Sequence, residues 1–183
     1  MATSEVDIAN MALGFLGEPR ITDIADNDDC SNNYPICRDA CLEEIDWTFA
    51  MERFLLDSPD TTNPAFGHSY RFLIPPRVLR VVSVNGNVYE WEKESNYILT
   101  DEATCEVRAV VRVEDVRRFT PGFVQALAAR LAATIAISVT SSKSVSENMW
   151  GMYGAFKLAA QGNDGRQGRT VQMTRKNTRR SRQ

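Results

Sequence analysis

The chain contains a single histidine, His68, so any Ser/His/acid or Cys/His catalytic group would have to be built on that residue. It sits in the run Gly67-His68-Ser69-Tyr70-Arg71, beside aromatic residues of strand type, where a histidine packs rather than catalyses. Four cysteines, Cys30, Cys37, Cys41 and Cys105, include no C-x-x-C knuckle of the kind that structural zinc sites use. Cys37 and Cys41 are four apart on one helical face and read as buried core thiols, with a metal or redox protein as the lesser reading. Phosphate-binding glycine loops are missing too: the runs GMYG (151–154) and GNDGRQG (162–168) follow no strand. The acidic cluster Asp26/Asp28/Asp29 lacks the central glycine and final glutamate of a calcium loop. Glu43/Glu44/Asp46 reads as the solvent face of an amphipathic helix. No metal, no cofactor and no enzymatic activity are therefore expected. The most apolar run, Val124–Val139, is short for a membrane span and is interrupted by Gln125, Arg130 and Thr134, so no membrane segment is expected. The acidic, polar start MATSEVDIAN does not read as a signal peptide, and with free thiols it points to a reduced, cytoplasmic origin.

What is present is an ordinary globular composition with an uneven charge. Hydrophobic residues make up 43% and charged residues 25% of 183 positions, enough for one substantial core or two small ones. The net charge of −3 conceals seven basic residues and no acid from Arg166 onward, which leaves 14 basic against 24 acidic residues in 1–165. A body of about −10 repels nucleic acid, and only the basic end invites it.

Periodicity predicts two pairs of helices. The first helix runs from a Ser4 cap to Leu16, with Ile8, Met11, Ala12, Phe15 and Leu16 as its stripe and Gly17 and Pro19 as its stop. The second covers Asp29–Trp47, facing Cys30, Tyr34, Cys37, Cys41 and Ile45 inward, with either a kink at Pro35 or a true start at Tyr34. The third begins at a Thr120 cap with Pro121 in its first turn and carries Val124, Leu127, Leu131, Ile135 and Val139. A polar break, Ser141–Ser144, leads to a fourth over Val145–Ala160, with Val145, Met149, Met152, Tyr153, Phe156 and Ala160 on one stripe. Between the pairs the period shifts towards two, predicting strands at His68–Ile74, Val78–Val84, Asn87–Glu92, Tyr97–Thr100 and Cys105–Val113. Asn85-Gly86 reads as the hairpin turn from the second strand to the third. The fold class is thus α+β: a split four-helix bundle, its halves at 1–58 and 114–162. A small antiparallel β-sheet insertion occupies 59–113, and a disordered or extended basic C-terminal arm covers 163–183. The arm has too few apolar residues to order itself. Its candidate contacts with an acidic partner are Arg166, Arg169, Val171, Met173, Arg175, Lys176, Arg179, Arg180 and Arg182, the two apolar residues serving as anchors.

In order and spacing the chain resembles the tail tubular protein A family of short-tailed bacteriophages. The resemblance covers LGFLGEPRITDI at the end of the first helix and Trp47-Thr48-Phe49-Ala50 at the end of the second. It continues through AFGHSYRFLIPPRVLRVVSV (65–84), where the family shows an aromatic Gly-x-x-Tyr-x-Tyr/Phe-x-x-Pro run and then Leu-Arg-Val. It closes on FVQALAARLAATIA (123–136) and its partner helix. Pro35 and the arginine-rich end depart from the family pattern. The resemblance implies a head-to-tail adaptor in the virion, assembled in the host cytoplasm as a twelve-fold ring of identical subunits. Its partners are the portal protein, reached by the C-terminal arm, and a tail nozzle of the tail tubular protein B type. Double-stranded DNA passes through the ring without specific binding, which an acidic wall favours. The other reading from the residues is a cytoplasmic nucleic-acid-binding accessory protein using the basic tail.

Overall fold

The computed structural model describes residues 4–165 and contains four α-helices and two small antiparallel sheets, an α+β fold. Helix α1, Glu5–Leu16, starts at a capping box in which the Ser4 hydroxyl accepts from the Asp7 amide and the Asp7 carboxylate accepts from the Ser4 amide. Gly17 ends it in the left-handed region, φ 78°. Its buried face is Ile8, Ala9, Ala12 and Leu13, while Met11, Phe15 and Leu16 lie at the edge of the core rather than at its centre. Helix α2, Asp28–Glu44, is capped by the Asn27 side chain, which accepts from the Cys30 amide at 2.9 Å. The helix starts ahead of Pro35 and continues through it. Pro35 is exposed, on the solvent side of the helix, and leaves the Ser31 carbonyl without its helical donor. The helix stops at Glu44, short of the expected Trp47, because Ile45 turns extended. That turn drives the Trp47 indole inward, where its N–H donates to the Cys41 carbonyl at 2.8 Å. Trp47, Phe49, Phe119 and Phe123 then form an aromatic plug with ring centroids 4.7–6.0 Å apart.

Helix α3, Pro121–Thr140, has the expected start, with the Thr120 hydroxyl accepting from the Phe123 amide. Helix α4, Lys143–Gly165, follows a left-handed Ser141 and extends beyond the expected Ala160. The expected stripe holds, with Met149, Tyr153 and Ala160 buried. Contrary to expectation, α3 is long and apolar enough to cross a membrane by length and composition. Its buried residues, from Phe123 to Ala136, instead form the wall on which α1, α2 and α4 pack in one core.

The strands differ most from expectation. A strand that periodicity does not predict, β1 (Met51–Leu56), pairs with β6 (Cys105–Val111), which also pairs with β3 (Val78–Val84). A second sheet joins β2 (Tyr70–Leu73), β5 (Tyr97–Thr100) and β4 (Trp91–Glu94) in the order β2-β5-β4. Asn85–Asn87 is a tight turn of three left-handed residues, but it makes no hairpin. Asn85 bridges instead to the start of β6, accepting from the Glu106 amide at 2.7 Å and donating to the Thr104 carbonyl. The chain then crosses into the second sheet. Phe72 and Ile98 of that sheet pack with Val84, Val107 and Ala109 of the first, so the two sheets form a small sandwich with its own core.

Candidate partner-binding surfaces

The arm residues Arg166, Arg169, Val171, Met173, Arg175, Lys176, Arg179, Arg180 and Arg182 lie outside the described residues. The root of the arm is described. Asp164, in the last turn of α4, is buried, and its carboxylate accepts from the Thr48 amide at 2.8 Å and from the Thr48 hydroxyl at 2.9 Å. Those two bonds fix the end of α4 to the turn Thr48–Ala50 and so to the aromatic plug. Beside them is a concavity of about 470 Å³ lined by Asp46, Thr48, Arg80, Arg108 and Asp164 among others. Arg80 donates from Nε to the Glu43 carbonyl at 2.8 Å and pairs with Asp46.

A second clamp holds the C-terminus of α2 to the α3–α4 pair. The Glu44 carboxylate accepts from Arg130, from the Tyr153 hydroxyl at 2.7 Å and from Lys157 at 2.9 Å. Arg130 also donates to the Tyr153 oxygen at 3.0 Å. Burial pushes the Glu44 carboxyl up, but the hydrogen bonds from Lys157, Tyr153 and Arg130, with the Arg130 charge, prevail and hold it at about 2. Burial raises the Tyr153 phenol, reinforced by the neighbouring acidic groups. Every charged group of the cluster is engaged in pairing, so its chemistry is that of a rigid joint. Glu43, Glu44 and Asp46 are all exposed, as expected of a solvent face, but on that face Glu44 is paired with side chains from distant helices.

All four cysteines are free and buried. Burial pushes the Cys30 and Cys105 thiols up to about 11 and Cys41 to about 12, which leaves almost no thiolate near neutral pH. Among the described residues, no group of three or more His, Cys, Asp or Glu side chains is placed to hold a metal. His68 Nδ1 lies 3.5 Å from Asp101, whose carboxylate also accepts from the Ser69 amide and hydroxyl. Asp101 thus faces the histidine and holds the serine, and among the described residues no hydroxyl is hydrogen-bonded to the imidazole.

The outer faces of the sandwich are open only in part: Val110 and Met51 of the first sheet pack on the helical core, and Leu99 of the second is buried. Arg53, Leu55, Arg108 and Ser83 line a concavity of about 540 Å³ on the β1-β6-β3 sheet. Glu92, Glu94 and Tyr97, with the preceding loop and its 89% exposed Phe66, line one of about 720 Å³ on the other sheet. No protein-family model matches the chain, and no curated protein matches it.

Proposed function

We propose that the chain is a structural subunit of a head-to-tail adaptor ring in a short-tailed phage virion, with no enzymatic activity. In this reading the four helices form a split bundle, α1 and α2 with α3 and α4, into which the sandwich is inserted. Identical subunits close a ring, twelve-fold as the resemblance implies, between portal protein and tail nozzle. Double-stranded DNA passes the acidic body without being held. The arm reaches the portal, where its arginines pair with carboxylates.

The observation that carries the reading is the junction at Asp164. A chain end with seven basic residues and no acid leaves a helix whose last turn is tied by two hydrogen bonds to the core. Such a root gives a self-assembling ring a defined exit point for its arm. The reading is tested by removing Arg166–Gln183 and measuring portal binding by co-sedimentation. Binding is expected to be lost, and unchanged binding would overturn the role given to the arm.

The unbroken positive charge of the same segment favours a second reading, a nucleic-acid-binding accessory protein. In that case DNA affinity falls steeply with salt, in proportion to the basic count of the tail. A flat or absent response at physiological ionic strength eliminates it.

A further inference from the structure

Nine of the fourteen Lys and Arg residues in 1–165 reach a carboxylate. Arg53 and Arg108 do not, although they are neighbours. They are directly opposed on β1 and β6, and Ser83 of β3 is opposite Arg108 on its other side. The three therefore form a row across the sheet, with side chains about 5 Å apart. They alternate with the inward-facing Phe54, Val107 and Val84, so they point away from the sandwich core. None of the three side chains has a hydrogen bond or ion pair among the described residues. Glu106 is exposed on the same face but beyond ion-pair distance of both arginines. Two opposed guanidiniums repel one another, and among the described residues no carboxylate lies within ion-pair distance of either, although Arg108 also borders the concavity that holds Asp46 and Asp164.

The opposite outer face carries the complementary array. Glu92 and Glu94 on the edge strand β4 share the side of Leu99 and Tyr97, their partners on β5. Both glutamates are exposed and unpaired among the described residues, while Arg71 on the same side is neutralised by Asp60 at 3.2 Å. The two arrays are rigid, opposite in sign and on opposite sides of one sandwich. Each adjoins exposed apolar side chains: Leu55 beside the arginines, Phe66 and Leu73 on the other face.

We propose that the sandwiches of successive copies stack head to tail, the Arg53–Arg108 row of one copy docking on Glu92 and Glu94 of the next. The inference deepens the ring reading and rests on it. Two different surfaces on opposite sides of one unit make a heterologous contact, which closes into a ring if the rotation per subunit permits. Desolvated arginine–carboxylate pairs set the register, and the apolar residues around them exclude water.

Two charge-reversed variants of the full chain test it. Arg53→Glu/Arg108→Glu carries acids on both faces, and Glu92→Lys/Glu94→Lys carries bases on both. Circular dichroism checks that each folds, which is expected of exposed positions. By sedimentation velocity over a concentration series, each variant alone is expected to self-associate about a hundredfold or more weakly than wild type. An equimolar mixture is expected to recover association, because each acidic face then meets a basic one. Association of either variant at wild-type strength, failure of the mixture, or DNA or portal binding as the only property lost would overturn the contact. Wild type closing into rings while both variants also do so overturns the contact and leaves the ring reading standing. Wild type and mixture both associating into open chains supports the contact and overturns the ring.

Discussion

Two kinds of alanine substitution in the α3–α4 pair should act in opposite directions. Gly122, in the first turn of α3, sits where α4 comes closest: a Cβ placed there would lie 2.8 Å from the Ala160 Cβ and 3.2 Å from its Cα. Neither atom belongs to a flexible side-chain end, so Gly122→Ala must push the helices apart by about half an ångström to restore ordinary contact. Overpacking of this kind costs about 1–3 kcal/mol. The alanine returns about 0.5–1 kcal/mol through reduced backbone entropy of the unfolded chain. The net is a destabilisation of about 0.5–2 kcal/mol and a fall in melting temperature of about 1–8 °C for a domain this size. On α4, a methyl group added at Gly151 or Gly154 would have nothing within 4 Å. Gly151→Ala or Gly154→Ala therefore keeps only the gain and should raise the melting temperature by a few degrees. The assay is thermal and urea unfolding of the three variants, with Ala160→Gly added to Gly122→Ala to close a double-mutant cycle. The two changes should couple favourably by about 1 kcal/mol. A Gly122→Ala variant as stable as Gly151→Ala, or a cycle without coupling, would refute the close approach of α3 and α4.

The two clamps and the buried thiols should respond to acid, to mutation and to reagent in definite ways. Glu44, held at about 2 against an ordinary 4.5, contributes stability that is fully present above 4.5 and is lost as pH falls towards 2. With a third of its side chain exposed, the contribution is about 1–2 kcal/mol after solvent screening. Urea midpoints measured from pH 6 to 2 should therefore fall less steeply in Glu44→Gln than in wild type. Asp164→Ala removes the acceptor of the Thr48 amide and should cost about 1–3 kcal/mol. Hydrogen exchange should quicken at Thr48 first, and unchanged protection there would show that the end of α4 is held by other contacts. Cys30, Cys37, Cys41 and Cys105, buried and with their thiols pushed up, should resist a water-soluble disulfide reagent at pH 8 until denaturant is added. Rapid labelling of the native protein would contradict their burial.

The features legible in the sequence are those settled by neighbours a few residues apart. The Ser4 box, the Gly17 stop, and the Thr120 cap with Pro121 all act within one helical turn, and all stand where the residues place them. The strand β1 escaped detection because Met51–Leu56 alternates poorly; it is a strand only through β6, whose residues come some fifty positions later. Asn85-Gly86 gave a correct turn and a wrong partner, since turn chemistry bends the chain but does not choose the strand it meets. Glu44 and Asp164 followed the same rule. Each looks like a surface acid in its own helix, and each is engaged by residues more than eighty positions away. The Arg53–Arg108 row could not be read from spacing at all, because it exists only in the register of two strands.

The proposed function requires a closed ring, and electron microscopy of the purified chain, alone and mixed with portal protein, shows whether one forms. The expected result is a closed ring of identical subunits on the portal, twelve-fold in symmetry, with the end of α4 and the arm directed towards the portal. A chain that stays monomeric in the presence of portal and leaves it bare would contradict it.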